Sequence, residues 1–197
     1  GARAILATQP GASVLSSIED DHELQGTRPA MRCQAGQQWT GDGVEFSVLH
    51  PDAADYATAA KSNALSCVLR VRAGARVALL VGDIETAREL RLAARHDDLR
   101  ADVLLVPHHG SRTSSSAPFI DAVQPRWALV QSGYRNRFGH PAPAVLARYA
   151  ERGARVVDSP RCGAMRWHSG RPDVVRCQRD EARRYWHHEP MPPIGGR

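Results

Sequence analysis

The sequence lacks several features that would assign a chain to a class at once. It contains no run of about 18 apolar residues, so no segment is predicted to span a membrane. It has no CxxC pair, which argues against a zinc ribbon. It starts with Gly-Ala-Arg-Ala-Ile-Leu, without a methionine or an apolar leader. No signal peptide is therefore predicted, and the chain is interpreted as a fragment or a processed protein.

Lysine is almost absent, since Lys61 is the only one among 26 basic residues. The charge is also unevenly distributed along the chain. Residues 1–111 carry 11 basic and 14 acidic side chains, whereas residues 112–197 carry 15 basic and 7 acidic ones. Because arginine binds phosphate through two parallel hydrogen bonds, the basic second half favours a partner with a phosphate backbone.

Cysteine is scarce, with four residues in 197. Cys67 lies inside an apolar stretch and is predicted to be a small core residue. Cys162 and Cys177 flank a predicted hairpin and are able to pair in an oxidising compartment.

Apolar patterns predict antiparallel strands in the first half of the chain and alternating strands and helices in the second. Strands are predicted at 13–18, 38–40, 44–49, 64–71, 76–81, 102–107, 127–131, 155–158, 164–168 and 174–177. Helices are predicted at 85–96, 115–123 and 143–152, with loops at 19–26 and 51–62. This order predicts an α/β fold with a two-sheet core and outer helices over residues 1–178. The charged and Pro/Gly-rich residues 179–197 are predicted to be a disordered tail.

Two predicted strands end in residues of types that commonly bind metals. One ends at Gly82-Asp83, and the other ends at His108-His109-Gly110. We expect these strands to be neighbours, so that Asp83 and one of the two histidines converge on one pocket. Only one histidine is expected to face the site, because successive residues of an extended chain point to opposite sides. Asp83 is a metal ligand, the N-cap of the helix that follows it, or both, since a carboxylate has several lone-pair sites.

Polar residues surround these strand ends in the sequence. The serines after Gly110 are predicted to offer hydroxyl and N–H groups to a phosphate, and the arginines of a later loop to contact phosphate. His140 is a ligand, a general acid or a helix-start residue, and Asn63 either orients substrate or occupies a turn. The predicted catalytic residues are Asp83, His108, His109 and His140. The predicted substrate contacts are Asn63, Ser111, Ser114, Arg135, Asn136 and Arg137.

The chain resembles the metallo-β-lactamase-like domain of ComEC, the DNA-uptake channel protein of competent bacteria. Four segments carry the resemblance in this order: Ser62–Leu69, Leu79–Glu85, Ala101–Ser111 and Asn136–Pro141. The likeness covers about residues 1–178 and implies an αββα sandwich. It also implies a hydrolase domain on the periplasmic or extracellular face of an inner-membrane channel protein. The implied activity is degradation of the DNA strand that is not transported.

The resemblance also implies roles for individual residues. Asp83 is implied to be a metal-bridging carboxylate, His108 a metal ligand, and His140 a site residue from a late loop. The implied cofactors are divalent ions, zinc or manganese, which would activate a water for attack on phosphorus. The implied partners are a DNA single strand, the channel domain of the same polypeptide and other competence proteins.

One departure from that family changes the expectation for this chain. The His-x-His-x-Asp-His signature that opens the family's domain is absent, and Glu19-Asp20-Asp21-His22 has the wrong spacing. The N-terminal part of the domain is therefore predicted to be missing, with weak metal binding and little activity. Two other functions stay open: a soluble metallo-hydrolase of a small ester or nucleotide, and a non-catalytic DNA-binding module.

Overall fold

The computed structural model describes residues 2–58, 61–95 and 98–182. They form a mixed α/β fold around one central sheet. The sheet has seven strands in the order β3-β4-β5-β6-β7-β8-β9. Its strands are β3 (Gln38–Gly41), β4 (Val44–His50), β5 (Val68–Ala73), β6 (Arg76–Leu80), β7 (Val103–Leu105), β8 (Trp127–Val130) and β9 (Arg155–Asp158). The α/β class predicted from the sequence is confirmed.

The sheet changes character at β6. Strands β3 to β6 pair antiparallel, whereas β6 to β9 pair in parallel. Short hairpin turns join β3 to β4 and β5 to β6, and a longer segment with α3 (Ala53–Thr58) joins β4 to β5. Asp42-Gly43 forms the turn between β3 and β4, and Gly74 adopts a φ of 58° in the turn between β5 and β6. Both turns match the sequence signals, because a positive φ is most easily adopted by Gly, Asn and Asp. Parallel pairing then aligns the carboxyl ends of β6, β7 and β8 at one edge.

Helices cover one face of this sheet. The longer ones are α4 (Thr86–Arg95), α5 (Ala117–Val123) and α6 (Pro143–Glu151). On that face Leu79, Leu104 and Ala128 lie side by side across three strands and are at most 1% exposed. Phe119 of α5 and Tyr149 of α6 pack in the same core cluster, and both are fully buried. This continuous core fixes the positions of the loops that follow the parallel strands.

The remaining elements are short. They are α1 (Ala2–Thr8), β1 (Val14–Ser16), α2 (Glu23–Thr27), β2 (Ala30–Arg32), α3 (Ala53–Thr58), α7 (Ser159–Cys162), β10 (Met165–Trp167), β11 (Val175–Cys177) and α8 (Gln178–Glu181). The loops predicted at 19–26 and 51–62 are wrong in part, since each contains a helix. Near the start of the chain the structure has helix α1, which is rich in alanine and other good helix formers.

The second large sheet of the expected sandwich remains a prediction. Besides the seven-stranded sheet, the described residues form only two two-stranded sheets, β1-β2 and β10-β11. The predicted start of the tail, residue 179, lies within helix α8, which extends to Glu181. Residues 183–197 of that predicted tail lie outside the described residues. None of the helices in the described ranges has the length and apolar character that a membrane span requires.

All four cysteines are paired in two disulfides. Cys162 and Cys177 form one, joining α7 to the end of β11. Cys67 is bonded to Cys33 and is only partly buried, so the prediction that it is a small core residue is wrong. The two cysteines are 34 residues apart, and pairing at that separation leaves no local signal in a sequence. This disulfide ties the N-terminal segment to the start of β5.

Candidate active site

The candidate residues lie where three parallel strands end. The loops after β6, β7 and β8 begin at Val81, Val106 and Gln131. Ligand sites of parallel α/β sheets lie outside these carboxyl ends, where backbone groups are free of the sheet ladder. The three loops contribute every candidate residue except Asn63.

Close packing and hydrogen bonds of the peptide group between Gly82 and Asp83 hold Asp83 in place. Gly82 precedes it with a φ of 56°, and a Cβ at this position would lie 2.9 Å from the Cβ of Ser66. The Ser66 hydroxyl accepts the Asp83 N–H at 3.1 Å, and the Gly82 carbonyl accepts the His108 N–H at 3.0 Å. The close packing of Ser66 requires glycine at 82 and fixes Asp83 beside the histidine turn.

His109 and Asp83 form the first imidazole–carboxylate pair of the site. His109 Nε2 lies 3.6 Å from Asp83 Oδ1, and its Nδ1 lies 2.7 Å from the carbonyl oxygen of Gln131. Because a carbonyl only accepts, Nδ1 donates this hydrogen bond, and Nε2 is the ring nitrogen that faces Asp83. The convergence expected from the two strand ends is therefore observed. This nitrogen is able to accept a proton or to bind a cation.

His108 and Glu85 form a second pair beside the first. His108 Nδ1 lies 3.6 Å from Glu85 Oε1, the oxygen that also accepts a hydrogen bond from Thr113 Oγ1 at 3.0 Å. The rings of His108 and His140 meet edge to face with centroids 5.9 Å apart. Glu85 was not among the residues predicted from the sequence, although it follows Asp83 by two positions.

The expectation that only one of the two adjacent histidines faces the site rested on a wrong physical reason, although His109 and not His108 lines the pocket described below. It assumed an extended backbone, but His108 and His109 have φ values of 48° and 56°, inside a turn that spans Pro107–Gly110. Two successive left-handed residues remove the alternation of an extended strand. As a result His108 is directed toward Glu85 and His140, and His109 toward Asp83.

His140 is the third histidine of the cluster. Its Nδ1 is buried without a hydrogen-bond partner among the described residues, and so is Nδ1 of His108. Burial lowers the pKa of His140, and the nearby His108 and His109 lower it further, while Asp83 opposes them. His140 is therefore biased toward its neutral form, in which a ring nitrogen is free to accept a proton or a ligand.

Asn136 holds His140 in place. Its side-chain oxygen accepts the His140 N–H at 3.0 Å, and its amide nitrogen donates to the His140 carbonyl at 2.5 Å. These bonds fix the position of His140, and since Asn136 also lines the pocket described below, its predicted substrate contact stays a prediction. Pro141 follows with its ring against Gly110, where a Cβ would come within 2.6 Å. The β8 loop and the histidine turn are thus packed directly on each other.

The serines after the histidine turn are largely structural. Ser114 is fully buried, and its hydroxyl lies within hydrogen-bond distance of the carbonyls of Pro107 and Ser111. It supports the turn and is not accessible to a phosphate, in contrast to the sequence prediction. Ser111 is 7% exposed, and its hydroxyl lies 3.1 Å from that of Thr113.

A buried carboxylate anchors this serine segment to the core. Glu89 of α4 is 0% exposed, and it accepts the N–H groups of Ser115 at 2.5 Å and Ser116 at 2.7 Å. Burial raises the pKa of Glu89, an effect that these hydrogen bonds oppose. Arg148 Nη1 donates to the carbonyls of Ser114 and Ser115 from the other side. Sequence reasoning missed both residues, since each lies within an ordinary amphipathic helix.

Two further predicted roles concern Asn63 and Asp83. Asn63 lies in a 3-10 turn, Ser62–Leu65, and the residue of this segment that reaches the site is Ser66. The N-cap alternative for Asp83 is wrong, because the Thr86 N–H at the start of α4 donates to the carbonyl of Thr113.

An open pocket of about 510 Å³ adjoins the histidines on the β8 side. Its lining is His109, Gln131, Ser132, Gly133, Asn136, Phe138, His140 and Ser159. This volume is within the range of small-ligand sites, about 300–1,000 Å³. Arg135 and Arg137 are exposed on the loop at its rim. Exposed positive charge thus lies on the loop that contributes Asn136 and Phe138 to the pocket lining, and such charge suits an anionic ligand.

The described residues do not form a complete metal site. No group of three or more His, Cys, Asp or Glu side chains among them is arranged to hold a metal ion. Structural and catalytic zinc sites use at least three protein ligands. The two imidazole–carboxylate pairs alone therefore do not make up such a site within the described residues.

Comparison with known proteins identifies relatives of this chain. It is 37% identical over 158 residues to Competence protein ComA of Neisseria gonorrhoeae, covering 80% of the chain. It is 35% identical to ComE operon protein 3 of Bacillus subtilis over 63% of the chain. It is 33% identical to Recombination protein 2 of Haemophilus influenzae over 75% of the chain. The chain is a homologue of competence proteins.

The chain corresponds to only a small part of these relatives. It spans 22% of the Neisseria protein, 16% of the Bacillus protein and 18% of the Haemophilus protein. No family model matches the chain. A solved structure from Parabacteroides distasonis, assigned as a metal-dependent hydrolase, aligns with 74% of this chain and 63% of that one. The TM-score is 0.46 and the identity 10%, a likeness too low to identify an activity.

Proposed function

We propose that this chain is part of the metallo-β-lactamase-like domain of a ComEC-type DNA-uptake protein. In this proposal its site binds the phosphate backbone of a DNA single strand. The observation that supports it is the cluster of Asp83, His108, His109 and His140 at the strand ends, beside a basic loop, in a homologue of competence proteins. The full-length protein is proposed to be an inner-membrane channel, with this domain on its periplasmic or extracellular face.

The proposed contacts to the strand follow from charge and exposure. Arg135 and Arg137 are exposed at the pocket rim and carry no carboxylate partner in an ion pair within the described residues. Free guanidinium groups pair with phosphate oxygens and release the counterions bound there. His109 and His140 form the floor, where a phosphate between the two arginines would lie. This binding does not depend on base identity, because phosphates carry no sequence information.

Salt dependence of DNA binding is the test of this proposal. Changing Arg135 and Arg137 together to alanine is expected to weaken binding to oligonucleotides of different sequence by similar factors. The slope of log affinity against log salt should flatten by about one to two units. The measurement is fluorescence anisotropy across a salt series.

Arg3 and Arg32 offer a matched control for that pair. Both are exposed, and a double change to alanine removes the same charge from the acidic half of the chain. The control should leave the salt slope unchanged. Binding that is equal at low and high salt, or indifferent to Arg135 and Arg137, would favour a hydrolase of small molecules.

A second candidate function is a DNA-binding module without catalysis. The observation that favours it is the lack of a group of three metal ligands in the described residues. In the enzymatic proposal, ligands from outside these residues would complete the coordination of zinc or manganese. The bound ion would then supply an activated water. The residues of this chain would then orient the strand, with His109 Nε2 and Asp83 facing the reacting phosphate.

The nuclease activity of the purified 197-residue chain addresses this choice. We expect little cleavage of single-stranded DNA with added Mn²⁺ or Zn²⁺, because half of a ligand set binds metal weakly. Cleavage that stops on changing Asp83 to alanine would contradict this expectation and show that the chain holds its own catalytic site. The Glu151→Ala variant, on the exposed face of α6, is the control for loss of folding.

A further inference from the structure

The rim of the pocket exposes an aromatic ring that the phosphate contacts do not explain. Phe138 is 66% exposed, more than any other large apolar side chain in the described residues. It lines the pocket together with Asn136 and His140. Large apolar rings exposed beside a polar site are a common mark of a binding surface. Tyr134 on the same loop is 44% exposed, so two exposed aromatic residues flank the two arginines in the sequence.

The orientation of the Phe138 ring is set by its neighbours. It stacks on the His140 ring with centroids 5.8 Å apart and planes inclined by 19°. The Arg137 guanidinium lies over the ring, 4.8 Å from its centroid. A cation over an exposed ring contributes only about two- to five-fold to an equilibrium. An arriving base can therefore replace Arg137 on the ring, and the freed guanidinium can turn to a phosphate.

We propose that Phe138 is a stacking platform for an unpaired nucleobase at the mouth of the pocket. This inference rests on the proposed function, in which the site binds a nucleic acid strand. A base on Phe138 would direct the adjoining phosphate toward His140 and His109, since all three line one pocket. The bases of a duplex are stacked on their own neighbours and are not available to the ring. Phe138 thus selects single strands, while the arginines bind phosphate in either form.

An oligonucleotide without bases separates stacking from phosphate binding. The probes are fluorescent oligothymidylate and an abasic strand of the same length, about 16 nucleotides, together with a duplex. The full chain should bind oligothymidylate roughly tenfold more tightly than the abasic strand, since one stacked base is worth about 5- to 100-fold. Phe138→Ala should remove that difference by weakening oligothymidylate binding alone. Phe138→Trp should retain it.

Leu90→Ala provides the matched control, since Leu90 is 43% exposed on α4, outside the pocket. This variant should bind all three probes as the unchanged chain does. Equal weakening of oligothymidylate and abasic binding in Phe138→Ala, or no effect on either, overturns the stacking role and leaves phosphate binding intact. Failure of the unchanged chain to bind any probe in a salt-dependent way overturns the proposed function together with this inference.

Discussion

A Gly110→Ala substitution is expected to lower the free energy of unfolding by about 2–4 kcal/mol. Gly110 has a φ of 81°, and an added Cβ would lie 2.6 Å from the Cβ and 3.1 Å from the Cα of Pro141. The left-handed backbone and the contact with Pro141 each contribute to this loss of stability. The contact involves the Cα and the ring of a proline, which cannot move aside as a flexible side chain would. Because Gly110 ends the histidine turn, the same change should displace His108 and His109 and weaken oligonucleotide binding.

Gly74→Ala is the matched control for this effect. Gly74 also has a positive φ, 58°, but nothing lies within 4 Å of a Cβ built there. Gly74→Ala should therefore lower the free energy of unfolding only by the cost of the left-handed backbone, about 1–2 kcal/mol. It should leave oligonucleotide binding unchanged. Urea unfolding of both variants measures the difference. Equal losses would show that Pro141 moves freely and does not fix the turn.

Loss of the Glu89 carboxylate is expected to destabilise the fold by about 2–5 kcal/mol, because two buried N–H groups would lose their acceptor. Glu89→Ala leaves the N–H groups of Ser115 and Ser116 without that acceptor inside the core. Glu89→Gln keeps one acceptor oxygen and should cost less. Urea unfolding measures both. Glu151→Ala, whose side chain is 68% exposed, should cost at most about 1 kcal/mol. A small effect of Glu89→Ala would mean that water satisfies the serine segment.

The pH dependence of these variants provides a second measurement. Burial raises the pKa of Glu89 above its ordinary value of 4.5. The folded chain therefore holds this proton more tightly than the unfolded chain does. The contribution of the group to stability is greatest below its unfolded pKa and falls as the pH rises through its folded pKa. The stability difference between the unchanged chain and Glu89→Gln should shrink over that interval, and a constant difference would contradict the shift.

Much of the sheet was predictable because its signals are local. The alternation in β4, the apolar runs of β6 to β8 and the glycine turns each depend on a few adjacent residues. The convergence of Asp83 with a histidine was also predictable, since neighbouring parallel strands bring their ends together. The order of the strands therefore predicted where the site lies, but not how its residues are arranged.

The details of the site were not predictable for a physical reason. The left-handed conformation of His108 and His109 depends on Gly110 packing against Pro141, 31 residues further along the chain. Ser66 and Glu89 reach the site only through hydrogen bonds to backbone groups, which any polar residue is able to form. Ser114 was assigned to substrate because its type suits phosphate, whereas the structure buries it and directs its hydroxyl to carbonyls of the histidine turn.

The two disulfides make the redox state of the solution a variable in every experiment on this chain. They close loops of 34 and 15 residues, Cys33–Cys67 and Cys162–Cys177. In the loop-entropy description, each disulfide reduces the conformational entropy of the unfolded chain and so raises the free energy of unfolding by about 3–4 kcal/mol. Reduction would cost an amount comparable to the effects expected for Gly110 and Glu89. A thiol reagent in a purification buffer would therefore imitate a core mutation, and variants need to be compared with all four cysteines oxidised.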